Sequence, residues 1–171
     1  TVGSDDFVAP LPGTLRSLVK DPRTTGKEIT FAEELFGPTG VTIALVEALD
    51  ITQSVSISGP DGWDDATGPL VSLDAGSVNR VIITNRVDLD SPGPAVVLSN
   101  IQVQHGAEQD GAGIMVGGGA NLTLNGVWVH SNAASQHGGG VWILDNSVVS
   151  VENSRVEANT AGVRGAGLYL Q

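Results

Sequence analysis

The chain contains no cysteine. This absence excludes a disulfide framework and a thiolate metal site, so stability must come from packing and from hydrogen bonds between strands. No run of about 18 apolar residues occurs, and the first ten residues, TVGSDDFVAP, lack the charged-then-apolar pattern of a signal peptide. We therefore expect no direct insertion into a membrane.

Basic residues are scarce as well. Eight lysines and arginines stand against 19 aspartates and glutamates, which gives a net charge of −11. A protein that binds a phosphate backbone needs clustered cations, so nucleic acid is excluded as a partner. Anionic membrane surfaces are disfavoured for the same reason.

Aromatic residues make up only 4% of the chain, whereas glycine is abundant at 23 of 171 residues. This balance is typical of many tight turns and thin aliphatic strands rather than of one large globular core.

A repeat near the C-terminus is the strongest pattern. Residues 111–137 and 138–164 align without a gap, and a third copy begins at Gly165. The segments GAGIMV, GGGVWI and GAGLYL open the three copies. A period of 27 residues indicates stacked supersecondary units, each of which buries its apolar side against the next.

Short apolar runs with a period of two begin at Ile29 and are separated by turn residues. Each 27-residue copy holds three strand-like pieces, and copies that stack in phase predict parallel strands about 4.8 Å apart. Crossovers between parallel strands are right-handed, so we expect a right-handed coil. The period-two positions, which such a coil would turn inward, are Ile29/Phe31, Val41/Ile43/Leu45, Leu49/Ile51, Val55/Ile57, Leu70/Ser72, Val81/Ile83, Val96/Leu98 and Ile101/Val103.

The predicted fold is all-β: a single-stranded, right-handed parallel β-helix forming one domain over residues 1–171. A short N-terminal capping helix is expected within residues 13–22, with Thr14 as its N-cap, and the coils over residues 28–171. The chain reads as a fragment of a longer protein. Residues 79–95 fit either a coil with a weak pattern or a lateral loop.

Two residue types mark corners of the copies. Glycine pairs at 111/113, 138/140 and 165/167 fit a bend that needs positive φ or a close backbone approach. Asn132 and Asn159 recur at another corner, where stacked amides can bond neighbouring coils.

These motifs resemble the right-handed parallel β-helix repeats of bacterial cell-surface and autotransporter passenger proteins, including the chlamydial polymorphic membrane proteins. That family repeats a GGA-[Ile/Leu/Val] box and a Phe-x-x-Asn box. GAGI, GGGV and GAGL match the first box, with Gly for Ala at its third position. Val129 to Asn132 and Val156 to Asn159 match the second, with Val for Phe.

The N-terminal part is similar to the start of many secreted bacterial β-helix proteins. The shared segments are GTLR at 13–16, EITF at 28–31 and SVSISGPDG at 54–62. The resemblance implies that residues 14–20 cap the first coil and shield its open strand edge. It implies no single activity, because the family includes adhesins, passenger domains and carbohydrate-active enzymes.

Because the 27-residue copies stack in phase, side chains that are 27 residues apart form columns. If Ile114 and Val116 point inward, the outward column is Met115, Trp142 and Tyr169, which sugar rings can stack upon. Trp128, on the adjacent face, is expected to widen this platform. These four residues are the predicted ligand-binding set.

A second column, just before each glycine corner, holds Asp110, His137 and Arg164. An imidazole one coil from a carboxylate can act as an acid or base, although such a column is more often a solvated charge ladder. The loop with Asp61, Asp64 and Asp65 offers oxygen ligands of the kind that calcium prefers, but an exposed turn explains it more simply. No resident cofactor or metal is otherwise expected.

The leading hypothesis is a passenger or adhesin module, secreted or on the bacterial cell surface, whose outer face binds a glycan or a host partner. The first alternative is a polysaccharide lyase or glycoside hydrolase that acts beside Asp110, His137 and Arg164. The second is a structural module that associates end to end through an exposed C-terminal coil.

Overall fold

The computed structural model describes residues 14–32, 35–36, 40–63, 66–86, 88 and 90–171. Over these residues the chain forms one α-helix, one short 3-10 helix and a succession of short strands. The helices are α1 (Leu15–Lys20) and the 3-10 helix Pro22–Thr24. The strands are β1 Glu28–Thr30, β2 Val41–Ala44, β3 Leu49–Ile51, β4 Val55–Ser58, β5 Val71–Asp74, β6 Ile82–Thr84, β7 Ala95–Ser99, β8 Ile101–Gln104, β9 Ala107–Asp110, β10 Ile114–Val116, β11 Asn121–Asn125, β12 Trp128–His130, β13 Ala133–His137, β14 Val141–Ile143, β15 Val148–Glu152, β16 Arg155–Glu157, β17 Thr160–Ala161 and β18 Leu168–Leu170.

The strands form four sheets, and every named strand pair is parallel. Sheet I has the order β1-β4-β7-β11-β15, sheet II β2-β5-β8-β12-β16, sheet III β9-β13-β17 and sheet IV β3-β6-β10-β14-β18. In each of the later coils the chain runs through sheets II, III, IV and I before it begins the next coil. The predicted parallel β-solenoid with a short N-terminal helix is therefore confirmed.

The register confirms that the 27-residue copies stack in phase. Ile114 pairs with Val141 and Val141 with Leu168, so equivalent residues lie directly above one another. Ile114 and Val141 are fully buried, and Leu168 is 47% exposed in the last coil. The aliphatic columns inside the coil form a continuous core, as apolar faces of stacked repeats must.

The number of strands in a copy is larger than expected. Four strands, rather than three, make up the later coils, because the segment 133–137 forms β13 in sheet III. Its sequence, AASQH, has no aliphatic alternation, and Ala134 is its one fully buried residue. Because only one side chain of this strand is buried, the aliphatic alternation that usually signals a strand is absent.

Two strands have the opposite phase from the predicted one. Val71 and Leu73 are buried in β5, where the pairs suggested Leu70 and Ser72. Ile82 and Thr84 point inward in β6, and Ile83 points outward. Leu70 and Val81 immediately precede their strands, so alternation counted from them is shifted by one residue and reverses both faces.

The N-terminal helix caps the coil but is shorter than the predicted span of 13–22. The Thr14 side chain accepts a hydrogen bond from the Ser17 N–H at 3.2 Å, which confirms the N-cap. Leu15 and Val19 are fully buried. The buried Arg16 guanidinium donates to the backbone carbonyls of residues 47 and 48, at 2.9 and 3.0 Å, and so ties the helix to the first coil.

Residues 79–95 combine both alternatives. Within them, β6 is an ordinary member of sheet IV, between β3 and β10. The connection from β6 to β7 spans residues 85–94, longer than the four residues that join β10 to β11. The greater length of this connection leaves the stacking of the strands on either side of it intact.

Thr84 offers a direct test of the core. Its side chain lies between Ile51 and Val116 of the neighbouring coils and is fully buried. Among the described residues, its hydroxyl has no hydrogen-bond partner. Thr84→Val keeps the shape and removes this hydroxyl, so we expect the free energy of unfolding to rise by about 1–2 kcal/mol in urea titrations.

The matched control is Thr123→Val, at an outward, half-buried position of β11. This change should alter stability by less than about 0.5 kcal/mol. Destabilisation by Thr84→Val would show that the buried hydroxyl makes a favourable interaction.

The last coil carries most of the exposed apolar side chains. Five of them are between 43% and 70% exposed: Val148, Val151, Val163, Leu168 and Leu170. Strands β15 to β18 are also the outermost members of their sheets. Association of two copies through this coil stays a prediction.

Over the described part of the chain, no helix is both long and apolar enough to cross a bilayer.

Candidate functional site

The outward column on sheet IV forms as predicted. Met115 pairs with Trp142, and Trp142 pairs with Tyr169, so the three side chains lie one above another in successive coils. All three are half-buried. The indole nitrogen of Trp142 is covered, so the part of the ring that reaches solvent is carbon. We call these three residues, together with Ile83 of the preceding coil, the aromatic column.

The column extends one coil further than the sequence indicated. Ile83 pairs with Met115 and lies outward on the same sheet. Its neighbour in the preceding coil is Asp50. Four successive outward positions of sheet IV are therefore apolar, and the strip ends at a carboxylate. The reversed phase of β6 hid Ile83 from the sequence reasoning.

His137 adds a second ring to the upper end of the aromatic column. The His137 and Tyr169 ring centroids are 4.8 Å apart, and the two planes are inclined by 24°, which is a stacked arrangement. Positive φ angles at Gly138 and Gly165, 63° and 65°, form the corner that brings the end of sheet III against sheet IV. The two columns named from the sequence are thus in contact.

The second predicted column is also in register. His137 pairs with Asp110 in sheet III and forms a parallel bridge to Arg164. The Asp110 carboxylate lies 2.8 Å from His137 Nδ1 and accepts the His137 backbone N–H at 3.1 Å. A carboxylate oxygen accepts, so this contact is a hydrogen bond in which Nδ1–H of the imidazole donates. The carboxylate therefore fixes the orientation of the ring.

Trp128 lies apart from the aromatic column. It belongs to sheet II, and the extra strand in sheet III separates it from sheet IV. The chain at Gly68 packs directly on its ring, because a Cβ there would lie 2.2 Å from Trp128 Cε3. Trp128 therefore does not widen the platform formed by Met115, Trp142 and Tyr169.

Trp128 instead takes part in a cluster of rings on sheet II. The ring centroids of Trp128 and His130 are 4.2 Å apart, and those of Trp128 and Trp63 are 6.4 Å apart. Burial, helped by the nearby His105, lowers the pKa of His130. His130 is therefore neutral at pH 7, and its Nε2 lies 3.1 Å from Gln102 Oε1.

A groove at the corner between sheets I and II escaped the sequence reasoning. Its volume is about 620 Å³. The corner is made by residues in the left-handed region, Asn100, Gly126 and Asn153, with φ of 52°, 66° and 47°. The lining residues are Asp61, Trp63, Asn100, Asn125, Gly126, Asn153, Ser154 and Arg155. The spacing of 26 and 27 residues between the three corner positions could have indicated this corner from the sequence.

The proposed calcium loop is only partly described. Asp64 and Asp65 lie outside the described residues, and the Asp61 carboxylate accepts a hydrogen bond from Asn100 Nδ2 at 2.9 Å. Among the residues that are described, no group of three acidic or histidine side chains is placed to hold a metal ion. Calcium binding at this loop stays a prediction.

No family model, curated protein or solved structure matches this chain. The structure itself defines the fold class, which is a parallel β-solenoid with a capped N-terminal end.

Proposed function

We propose that the protein is a glycan-binding module of a secreted or bacterial cell-surface protein, and that the aromatic column is its binding face. The observation that carries the proposal is the register that aligns Met115, Trp142 and Tyr169 beside the stacked His137 ring. Such a strip matches an extended polysaccharide better than a compact small molecule, because it runs along the axis of the solenoid.

The chemistry of the strip favours sugar rings. A pyranose has faces of C–H groups, which pack on aromatic carbon, and a rim of hydroxyls, which need hydrogen-bond partners. Trp142 and Tyr169 provide the first surface. The Asp110–His137 pair, hydrogen-bonded at 2.8 Å, provides polar atoms at its border. Because neighbouring strands are about 4.8 Å apart, successive rings meet a chain at regular intervals.

The charge restricts the partners, and the sequence motifs support an extracellular role. A net charge of −11 disfavours nucleic acid and anionic membranes as partners. The repeat boxes resemble those of passenger and adhesin proteins, in which a stiff β-helix presents its outer surface.

The proposal is tested by measuring the binding of the whole chain to a panel of immobilised polysaccharides, including cellulose, chitin, mannan, pectin, alginate and chondroitin. We expect at least one to bind, and Trp142→Ala to weaken that binding roughly tenfold or more, equivalent to about 1.4 kcal/mol or more. Thr123→Ala, at an outward position of sheet I, is the matched control and should bind normally. Absence of binding across the panel, or full binding by a folded Trp142→Ala variant, would contradict the proposal.

A second candidate function is cleavage of a polysaccharide, and the Asp110–His137 hydrogen bond favours it. An oriented imidazole can act as a general acid or base, and Arg164 in the same column could neutralise a substrate carboxylate. To test for cleavage, each polysaccharide of the same panel is incubated with the protein, with and without calcium. Chain shortening and unsaturated products are then measured. Activity that His137→Ala or Arg164→Ala abolishes would replace the binding proposal with the enzymatic one.

A further inference from the structure

We infer that the groove between sheets I and II is a second carbohydrate site, which binds one unit of a neutral saccharide independently of the aromatic column. The groove contains an aromatic wall, three side-chain amides and one charge of each sign. The residues that line the groove include none of the aromatic column on sheet IV.

The walls of the groove are held in place by contacts within the protein. Asn100 Nδ2 donates to Asp61 Oδ1 at 2.9 Å, which ties the loop after β4 to the corner. The Trp63 ring packs beside Trp128, and the Arg155 guanidinium carbon lies 5.3 Å from the Trp63 ring centroid. Indole and guanidinium support one another through a cation–π contact. Side chains that are already ordered lose little entropy when a ligand binds.

Two of the three amides, those of Asn125 and Asn153, present hydrogen-bonding atoms to solvent. Asn153 Nδ2 donates to Asn125 Oδ1 at 3.1 Å. Within the described part of the chain, Asn125 Nδ2 and Asn153 Oδ1 have no hydrogen-bond partner, and both residues are exposed. A donor therefore lies beside an acceptor. A sugar hydroxyl both donates and accepts, so neighbouring hydroxyls match this pair.

The size and charge of the groove restrict the ligand. A volume of about 620 Å³ falls among ordinary small-ligand clefts, which run from roughly 300 to 1,000 Å³. Asp61 and Arg155 carry opposite charges, and the whole chain is strongly acidic, so an anionic ligand gains nothing from the field. An aromatic wall beside neutral amides fits a neutral pyranose.

The groove and the aromatic column are separate sites. The corner positions Asn100 and Asn153 lie between sheets I and II, whereas Trp142 lies on sheet IV. Sheet III lies between the groove and sheet IV on one side of the coil, and sheet I lies between them on the other side. A ligand in the groove therefore leaves the column open, and both sites can be filled at once.

The experiment titrates the full chain with the methyl glycosides of glucose, galactose, mannose, xylose and N-acetylglucosamine, followed by saturation-transfer NMR and tryptophan fluorescence. We expect at least one glycoside to bind saturably with a dissociation constant below about 10 mM. Asn125→Ala and Asn153→Gly should each weaken it fivefold or more; glycine is used at 153 because φ there is positive. Asn121→Ala, exposed at the other end of β11, is the matched control and should bind normally.

Trp142→Ala separates this inference from the proposed function. We expect this variant to bind the glycoside as tightly as the native chain does, whether or not it still binds a polysaccharide. The inference is overturned if no glycoside binds at 10 mM, if both groove variants bind as the native chain does, or if Trp142→Ala alone removes the signal.

Discussion

Replacing Asn132 with alanine is expected to lower the free energy of unfolding by about 3–5 kcal/mol. The Asn132 side chain is 1% exposed and satisfies groups in three coils. Its Oδ1 accepts the Gly106 N–H at 2.8 Å, and its Nδ2 lies 3.1 Å from the Val103 carbonyl and 2.9 Å from Asn159 Oδ1. Alanine would leave these buried partners unsatisfied, each at a cost of roughly 1–3 kcal/mol. Urea unfolding followed by circular dichroism measures the loss.

The control is the equivalent residue one coil later. Asn159 donates to the Val129 carbonyl at 2.9 Å but is only half-buried, so water can replace part of what Asn159→Ala removes. We expect that change to cost about 1–2 kcal/mol. If Asn132→Ala were no more harmful than Asn159→Ala, burial of the asparagine ladder would not be what stabilises the corner.

The asparagine corner was predictable because a fixed period converts sequence distance into contact. Asn132 and Asn159 are 27 residues apart, and a coil of that length places one amide above the other, at 2.9 Å. The same arithmetic predicted the order Met115, Trp142, Tyr169 on sheet IV and Asp110, His137, Arg164 beside it. Stacking of His137 on Tyr169 was not predictable, because it depends on how the chain turns at Gly138 and Gly165.

Prediction failed where the alternating pattern is weak or misleading. The strand β13 buries only Ala134, so it has no alternating aliphatic pattern. Alternation counted from Val81, which precedes the strand, places Ile83 on the wrong face. One residue of error reverses every side chain of a short strand. The alternation of apolar and polar residues is least informative in strands of three residues.

The groove depended on information outside any single repeat. One of its walls is the loop after β4, which comes before the regular copies and has no counterpart in them. The other wall is the corner at Asn100, Gly126 and Asn153, where glycine replaces asparagine in the middle copy. Only the folded chain brings Trp63 to Arg155, which lies 92 positions later, because the loop after β4 packs sideways across several coils.

Gly113→Ala is expected to lower the free energy of unfolding by about 3 kcal/mol. Gly113 faces the coil above, and a Cβ at this position would lie 2.4 Å from the Gly140 carbonyl oxygen and 2.9 Å from Asn132 Nδ2. The first obstacle is backbone, which cannot move aside without changing the spacing between coils. Its φ lies outside the left-handed region, so the expected loss is steric. Thermal and urea unfolding of the full chain give the measurement.

The repeat supplies a graded series of controls for this prediction. In Gly140→Ala the new Cβ meets the Gly167 carbonyl oxygen at 2.5 Å, but the coil above is the last and can shift more freely, so a smaller loss is expected. At Gly167 the nearest atom is a methyl carbon of Val156 at 3.7 Å, an ordinary contact, and Gly167→Ala should change stability by less than about 0.5 kcal/mol. Equal losses at all three positions would mean that alanine acts on the local backbone rather than on the coil above. The expected order, largest at Gly113 and smallest at Gly167, follows only if each coil closes over the glycines of the one before it.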